Sequence, residues 1–114
     1  MNLLILGSTF KEDCPDFRNS KVFEIMDIFL KKRINFSVSD PFFSEEKIQK
    51  KYHKYFIDFK INDQNKYDVI LVAVSHSIYK KIGFARIKKV AKKNSIFFDL
   101  KSVFNSKDKK VISL

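Results

Sequence analysis

Apolar and polar positions fall in blocks along this chain, and the blocks switch between strand-like and helix-like periods. Leu3 to Leu6 is an unbroken apolar run closed by Gly7, which predicts a short strand buried on both faces. After a polar, charge-dense loop, Val22, Ile25, Met26 and Phe29 recur at helical spacing and predict a helix from about Asn19 or Ser20 to Lys32. Asn19 or Ser20 supplies the N-cap in this reading, while Lys31, Lys32 and Arg33 suit the negative C-terminal end. Asn35 to Ser39 alternates, with Phe36 and Val38 inward, and stops at Asp40-Pro41, where the proline disfavours helix and predicts a turn. Ser44, followed by Glu45 and Glu46, opens a short predicted helix to about Tyr52.

The second half repeats the alternation. Tyr55 to Ile61 reads as a short strand or an irregular crossover, and Asn62 to Asn65 as a polar loop. Tyr67 to Val74 is apolar almost throughout and predicts a central strand. Ser75 or Ser77 caps a short helix to Lys81, and beyond Gly83 the residues Phe84, Ile87, Lys88 and Ala91 trace a helix face with a basic outer side. Ser95 to Leu100 is a further strand, and Lys110 to Ser113 an edge strand. Strands alternating with helices predict an α/β fold, a Rossmann-like parallel sheet with helices on both faces, in a single domain over residues 1–114.

Composition narrows the classes. Hydrophobic residues make up 45% of the chain, enough for a core and against disorder. The longest clear apolar run, Val69 to Val74, is too short to cross a bilayer, and no signal-peptide pattern opens the sequence. A single cysteine suits a reducing, cytoplasmic setting. The net charge of +10 raises nucleic-acid binding. All but three of the 23 basic residues are lysines spread along the chain, however, and only Arg18, Arg33 and Arg86 offer the bidentate geometry that groove readers favour. Neither nucleic acid nor a membrane is the expected partner.

The chemistry is expected where the first strand runs through its loop into the first helix, because ligands of such βα units bind beyond the strand's carboxyl end. Lys11 follows the strand and its glycine hinge, so its ammonium can reach an anion there, and helix N–H groups can assist. Arg18 either pairs with Asp16 or Asp13 or faces a ligand; its five donors allow both. Ser75 and His76 end the central strand on the same edge and form a possible pocket rim, although a lone histidine is more often structural. Asp40 occupies the place of a ribose-binding acid, but after Gly7 the next glycine is Gly83, so the dinucleotide fingerprint is missing and a turn role is favoured. Cys14, flanked by Asp13 and Pro15, has acidic neighbours that oppose a thiolate. His53 is expected to be solvated, and Asp99 to shape a turn or pair with a basic neighbour.

Gly7-Ser-Thr-Phe-Lys-Glu-Asp-Cys-Pro-Asp-Phe-Arg-Asn-Ser-Lys-Val22 resembles the opening of the C-terminal, UDP-binding domain of the nucleotide-sugar 6-dehydrogenases, whose pattern is roughly Gly-x-Ala/Thr-Phe-Lys and then Asp-x-Arg-x-Ser. The wording is most similar to the branch acting on UDP-N-acetylhexosamines. Val38-Ser-Asp-Pro41, Tyr67-Asp-Val-Ile-Leu-Val-Ala-Val-Ser-His76 and Ile96-Phe-Phe-Asp-Leu-Lys-Ser-Val103 follow in the family's order. The resemblance implies that Phe10, Lys11 and Lys101 contact a UDP-sugar and that Arg18 faces NAD held by a separate N-terminal domain. Lys101 stands where the family has Arg or Lys. The implied whole enzyme oxidises the sugar C6 alcohol to a carboxylate in two NAD-dependent steps, as a homodimer with central dimerising helices. Its catalytic cysteine belongs to a Gly-rich motif preceding this domain, so no catalytic residue and no metal ligand is expected here, and this chain alone is expected to hold no NAD and to be inactive.

Overall fold

The computed structural model describes the chain apart from residues 1, 10, 12, 19, 59–65, 75, 100–110 and 114, and apart from the side chains at 84, 99 and 111–113. The elements are β1 (Asn2–Leu6), α1 (Val22–Lys31), β2 (Asn35–Ser39), a 3-10 helix (Lys50–Tyr55), β3 (Tyr67–Val72), α2 (Ser77–Ile82), α3 (Phe84–Lys88), β4 (Ala91–Asp99) and β5 (Val111–Ser113). They build one five-stranded sheet in the order β2-β1-β3-β4-β5, and every pairing in it is parallel. All strands therefore end on one edge.

The continuous apolar runs are explained by two cores. Leu3 and Ile5 point to one face, where Val22 and Met26 of α1 pack with Phe36, Val38, Ile48 and Tyr52. Leu4 and Leu6 point to the other, among Ile70, Val72, Tyr79, Ile87, Val90 and Phe97. A strand covered on both sides has no wet face to alternate with. Met26 is fully buried, and truncating such a side chain to alanine costs about 2–5 kcal/mol.

Several elements differ from the pattern-based expectation. The first helix begins at Val22, with Lys21 at its N-cap; Ser20, one residue earlier, accepts the Val22 N–H at 3.3 Å and donates its hydroxyl to the Ser8 carbonyl at 2.6 Å. Asn19 lies outside the described residues. The helix expected from Ser44 to Tyr52 is replaced by turns and the 3-10 helix, because Gln49 adopts an extended ψ of 138° that interrupts any continuous helix. Phe56 bridges to Val38 as a single parallel contact, and residues 59–65 lie outside the described residues. β3 stops at Val72. Ala91 belongs to β4, not to the preceding helix, and pairs with Tyr67 ahead of a register shift that brings Ile96 beside Val69.

Candidate functional site

The carboxyl edge of the sheet is assembled around Gly7. This residue has φ +89°, and a Cβ placed on it would lie 2.7 Å from the Cβ of Val74 and 2.9 Å from its carbonyl oxygen. Only glycine allows the chain to leave β1 this close to the segment following β3. The Gly7 N–H donates to the Ser39 carbonyl at 2.9 Å, and Ala73 N–H to that of Leu6 at 3.0 Å. The ends of β1, β2 and β3 are thus tied together by main-chain bonds.

Above this seam lies a polar cluster that is almost entirely buried. Asp40, at the end of β2, accepts the Ser8 N–H and the Ser8 hydroxyl, each at 2.6 Å, and the Phe42 N–H at 2.8 Å. Burial pushes its carboxyl upward, but the His76 Nε2–H 3.7 Å away and the bonds from Ser8 and Phe42 outweigh it, leaving the group below the usual carboxylate range. The Tyr79 hydroxyl donates to the Ser39 carbonyl at 3.0 Å; burial first, and the Asp40 charge second, push its phenol well upward.

His76 is 1% exposed. Its Nδ1 accepts the Asp13 backbone N–H at 2.9 Å, and Nε2 lies 3.2 Å from Thr9 Oγ1. Thr9 in turn donates that hydroxyl to the Lys11 carbonyl at 2.9 Å. An accepting Nδ1 and a hydroxyl already spent as a donor assign the ring hydrogen to Nε2. Asp13, at φ 54°, accepts both the N–H and the hydroxyl of Ser77. These bonds from Ser77, ahead of a small burial penalty and weak help from His76 and Lys80, hold its carboxyl below the ordinary range. The first turn of α2 is therefore capped from the β1 loop, not by Ser77 itself, and Ser75 lies outside the described residues.

This network places the sequence-predicted residues. Lys11 is exposed, on the loop that His76 and Thr9 hold. Arg18 is exposed and folds back on Asp16 in a bidentate pair, 3.0 Å from Nε and 3.1 Å from Nη2, with its own N–H also donated there at 2.9 Å. Asp16, and not Asp13, is its partner. Those Arg18 hydrogen bonds, with the guanidinium charge, hold the Asp16 carboxyl below its ordinary value. A groove of about 680 Å³ opens beside the pair, lined among others by Cys14, Arg18, Phe23, Lys47, Ile48 and Tyr52. Lys47 donates to the Pro15 carbonyl across it at 3.2 Å. Cys14 is a half-buried free thiol. Its sequence neighbours are acidic, but in space Arg18 and Lys47 share its groove. His53 is half-buried, with its Nε2 2.7 Å from the Ile48 carbonyl oxygen.

Lys11 and Arg18 share one loop but occupy different places, since the groove includes Arg18 and not Lys11. Phe10 and Lys101 lie outside the described residues. β4 ends at Asp99 on the same edge as β1, with β3 between them, so the two strand ends stand about 10 Å apart at ordinary sheet spacing. Sequence reasoning missed Thr9 and Asp13. Two small hydroxyl residues directly after a doubly buried strand were the available signal, because buried donors there need partners.

Among the described residues the end of β1 departs from a dinucleotide-binding turn. α1 starts only at Val22, so a long loop replaces the tight glycine turn, and the acid at the end of β2 is occupied by Ser8. Among the described residues no group of three or more His, Cys, Asp or Glu is arranged to hold a metal ion, and no helix is long and apolar enough to cross a membrane.

A parallel sheet covered on both faces, with a polar loop at its carboxyl edge, defines an α/β domain of the kind whose ligands bind beyond the strand ends. Residues 4–106 match the model of the UDP-glucose/GDP-mannose dehydrogenase family, UDP binding domain, and the chain belongs to that family. It is 38% identical over 100 residues to the UDP-N-acetyl-D-glucosamine 6-dehydrogenase of Pseudomonas aeruginosa, covering 87% of this chain and 23% of that protein. It is 36% identical over 102 residues to Protein CapL of Staphylococcus aureus, covering 90% and 23%. The fold is shared with the UDP-N-acetyl-mannosamine dehydrogenase of S. aureus, at TM-score 0.70 and 21% identity over 98% of this chain and 25% of that one. It is shared too with the GDP-mannose dehydrogenase of P. aeruginosa, at TM-score 0.71 and 13% identity over 97% and 27%. The chain spans about a quarter of the length of these relatives.

Proposed function

We propose that this chain grips the UDP end of a UDP-sugar within an NAD-dependent nucleotide-sugar 6-dehydrogenase that oxidises the sugar C6 alcohol to a carboxylate, giving a UDP-uronic acid. Lys11 and Lys101 bring ammonium groups to the diphosphate, and Phe10 packs on the ligand or shapes its pocket. Arg18 faces the NAD cleft; its pairing with Asp16 uses Nε and one terminal nitrogen, leaving further N–H donors on the fork. NAD, the hydride acceptor, is held by an N-terminal domain outside this chain, as is the catalytic thiol, so Cys14 is not the nucleophile. The N-terminal and central domains are the expected partners, in a homodimer.

The observation that carries this reading is an exposed lysine whose carbonyl is bonded by Thr9, at the carboxyl edge of a parallel sheet, in a chain whose residues 4–106 match a UDP-binding family. Calorimetric titration with UDP, UDP-glucose and UDP-N-acetylglucosamine tests it. Binding that survives moderate salt supports it, whereas affinity confined to nucleic acid and falling steeply with salt contradicts it.

A further inference from the structure

We infer that His76 and Thr9 position Lys11 for its ligand, His76 acting as a buried clamp on the two flanks of the residue. The inference rests on the reading that Lys11 meets the UDP phosphates. Its own ground is the bonding pattern: one imidazole ring reaches both sides of the loop tip. Nδ1 takes the N–H of Asp13, two residues after Lys11, and Nε2–H is directed at the hydroxyl of Thr9, two residues before it. Thr9 passes the restraint on by donating to the Lys11 carbonyl itself. The far side is closed by Asp13, whose carboxylate takes Ser77 at the start of α2.

His76 is well placed for this and for little else. It is 1% exposed, and Phe42 and Tyr79 pack on its ring with centroids 4.9 and 5.8 Å away. Its two nitrogens face Asp13, Thr9 and the Asp40 carboxylate, so both are engaged within the protein. Asp13 holds a positive φ of 54°, a conformation costly for a non-glycine residue and retained only where surrounding contacts over-determine it. The bond from its N–H to the ring and the two bonds to Ser77 are such contacts. Thr9 and Asp13 are thereby both tied to one ring, with Lys11 exposed between them in the sequence. An ammonium on a flexible four-carbon stem loses less freedom on binding when its backbone is already fixed.

The test is a titration of the 114-residue chain with UDP, followed by amide NMR shifts so that weak binding is measurable. Lys11→Ala, Thr9→Val, His76→Asn, His76→Ala and the pair Lys11→Ala/Thr9→Val are compared. Thr9→Val keeps the shape and removes the hydroxyl, and serves if the histidine variants do not fold. Asn retains an acceptor near the position of Nδ1, so His76→Asn is expected to recover part of the affinity lost in His76→Ala. Thr9→Val should weaken UDP about three- to tenfold, the range of one hydrogen bond. In a chain already lacking Lys11 the same change should have almost no further effect, because a clamp has nothing left to position. Full additivity of Thr9→Val and Lys11→Ala, or unchanged UDP affinity in Thr9→Val, overturns the inference while leaving Lys11 as a ligand. No effect of Lys11→Ala overturns the underlying reading, and the clamp with it.

Discussion

The Asp40 carboxylate takes both the backbone N–H and the hydroxyl of Ser8 at 2.6 Å, across an interval of 32 residues. The acid that ends β2 is turned inward, where it fastens the start of the β1 loop. It is a buried acceptor for three donors, with the Phe42 N–H as the third.

Removing it should therefore be costly. Asp40→Ala leaves Ser8 and Phe42 donors without a partner and is expected to lower stability by about 2–4 kcal/mol in urea denaturation at pH 7. The pH dependence follows from the lowered carboxyl of Asp40. A folded-state value below the unfolded one gives stabilisation that is complete above the unfolded value, near pH 4, and lost as pH falls through the folded value. The stability difference between the unaltered chain and Asp40→Asn should shrink as pH falls below about 4. A difference constant from neutral pH to pH 2 would contradict this.

Gly7 and Gly83 separate two kinds of glycine dependence. Both have positive φ, but a Cβ at position 7 strikes Val74, whereas a Cβ at 83 meets nothing within 4 Å. Gly83→Ala is expected to cost only backbone strain, about 1–3 kcal/mol. Gly7→Ala adds the clash and should cost more, measured as the difference in urea midpoints. Equal losses would show that the β1 end relaxes away from Val74.

The purified chain should not reduce NAD with any UDP-sugar. The glycine turn is missing, and Asp40 is committed to Ser8. Steady NADH formation that disappears in Cys14→Ser would reverse the assignment of the nucleophile to another part of the enzyme.

Arg18 should matter to turnover more than to UDP binding. It is exposed and pairs only with Asp16 in the bonds described, so Arg18→Ala is expected to leave UDP affinity of this chain within about twofold. In the complete dehydrogenase the same change should lower turnover at saturating UDP-sugar and raise the KM for NAD. A large loss of UDP affinity in the chain would place Arg18 on the substrate instead.

The sheet was legible because its strands obey simple patterns. β2 alternates and is closed by Asp40-Pro41, and it spans Asn35–Ser39 as expected. The apolar run of β3 predicted its central place, which the strand order bears out, and that of β1 predicted burial on both faces, which its residues Leu3 to Leu6 show. The start of β4 was hidden because Lys92, Lys93 and Asn94 continue the basic, solvated pattern of α3, and they enter a strand only through the Tyr67–Ala91 pairing and its register shift. The cluster behind Lys11 was illegible for another reason. Asp13 to His76 and Ser8 to Asp40 are 63 and 32 residues apart, so they meet only once the parallel topology brings three strand ends to one edge. Local propensity carries no trace of such meetings.

The account stands most directly on Lys11. Titration of the chain and of the complete dehydrogenase with UDP should show Lys11→Ala weakening the complex roughly ten- to hundredfold, the range of a charged hydrogen bond. Lys101→Ala should do the same, and the double variant should depart from additivity because both ammonium groups meet one diphosphate. Unchanged UDP affinity for Lys11→Ala in both settings, with the fold intact by circular dichroism, would contradict the assignment of the site.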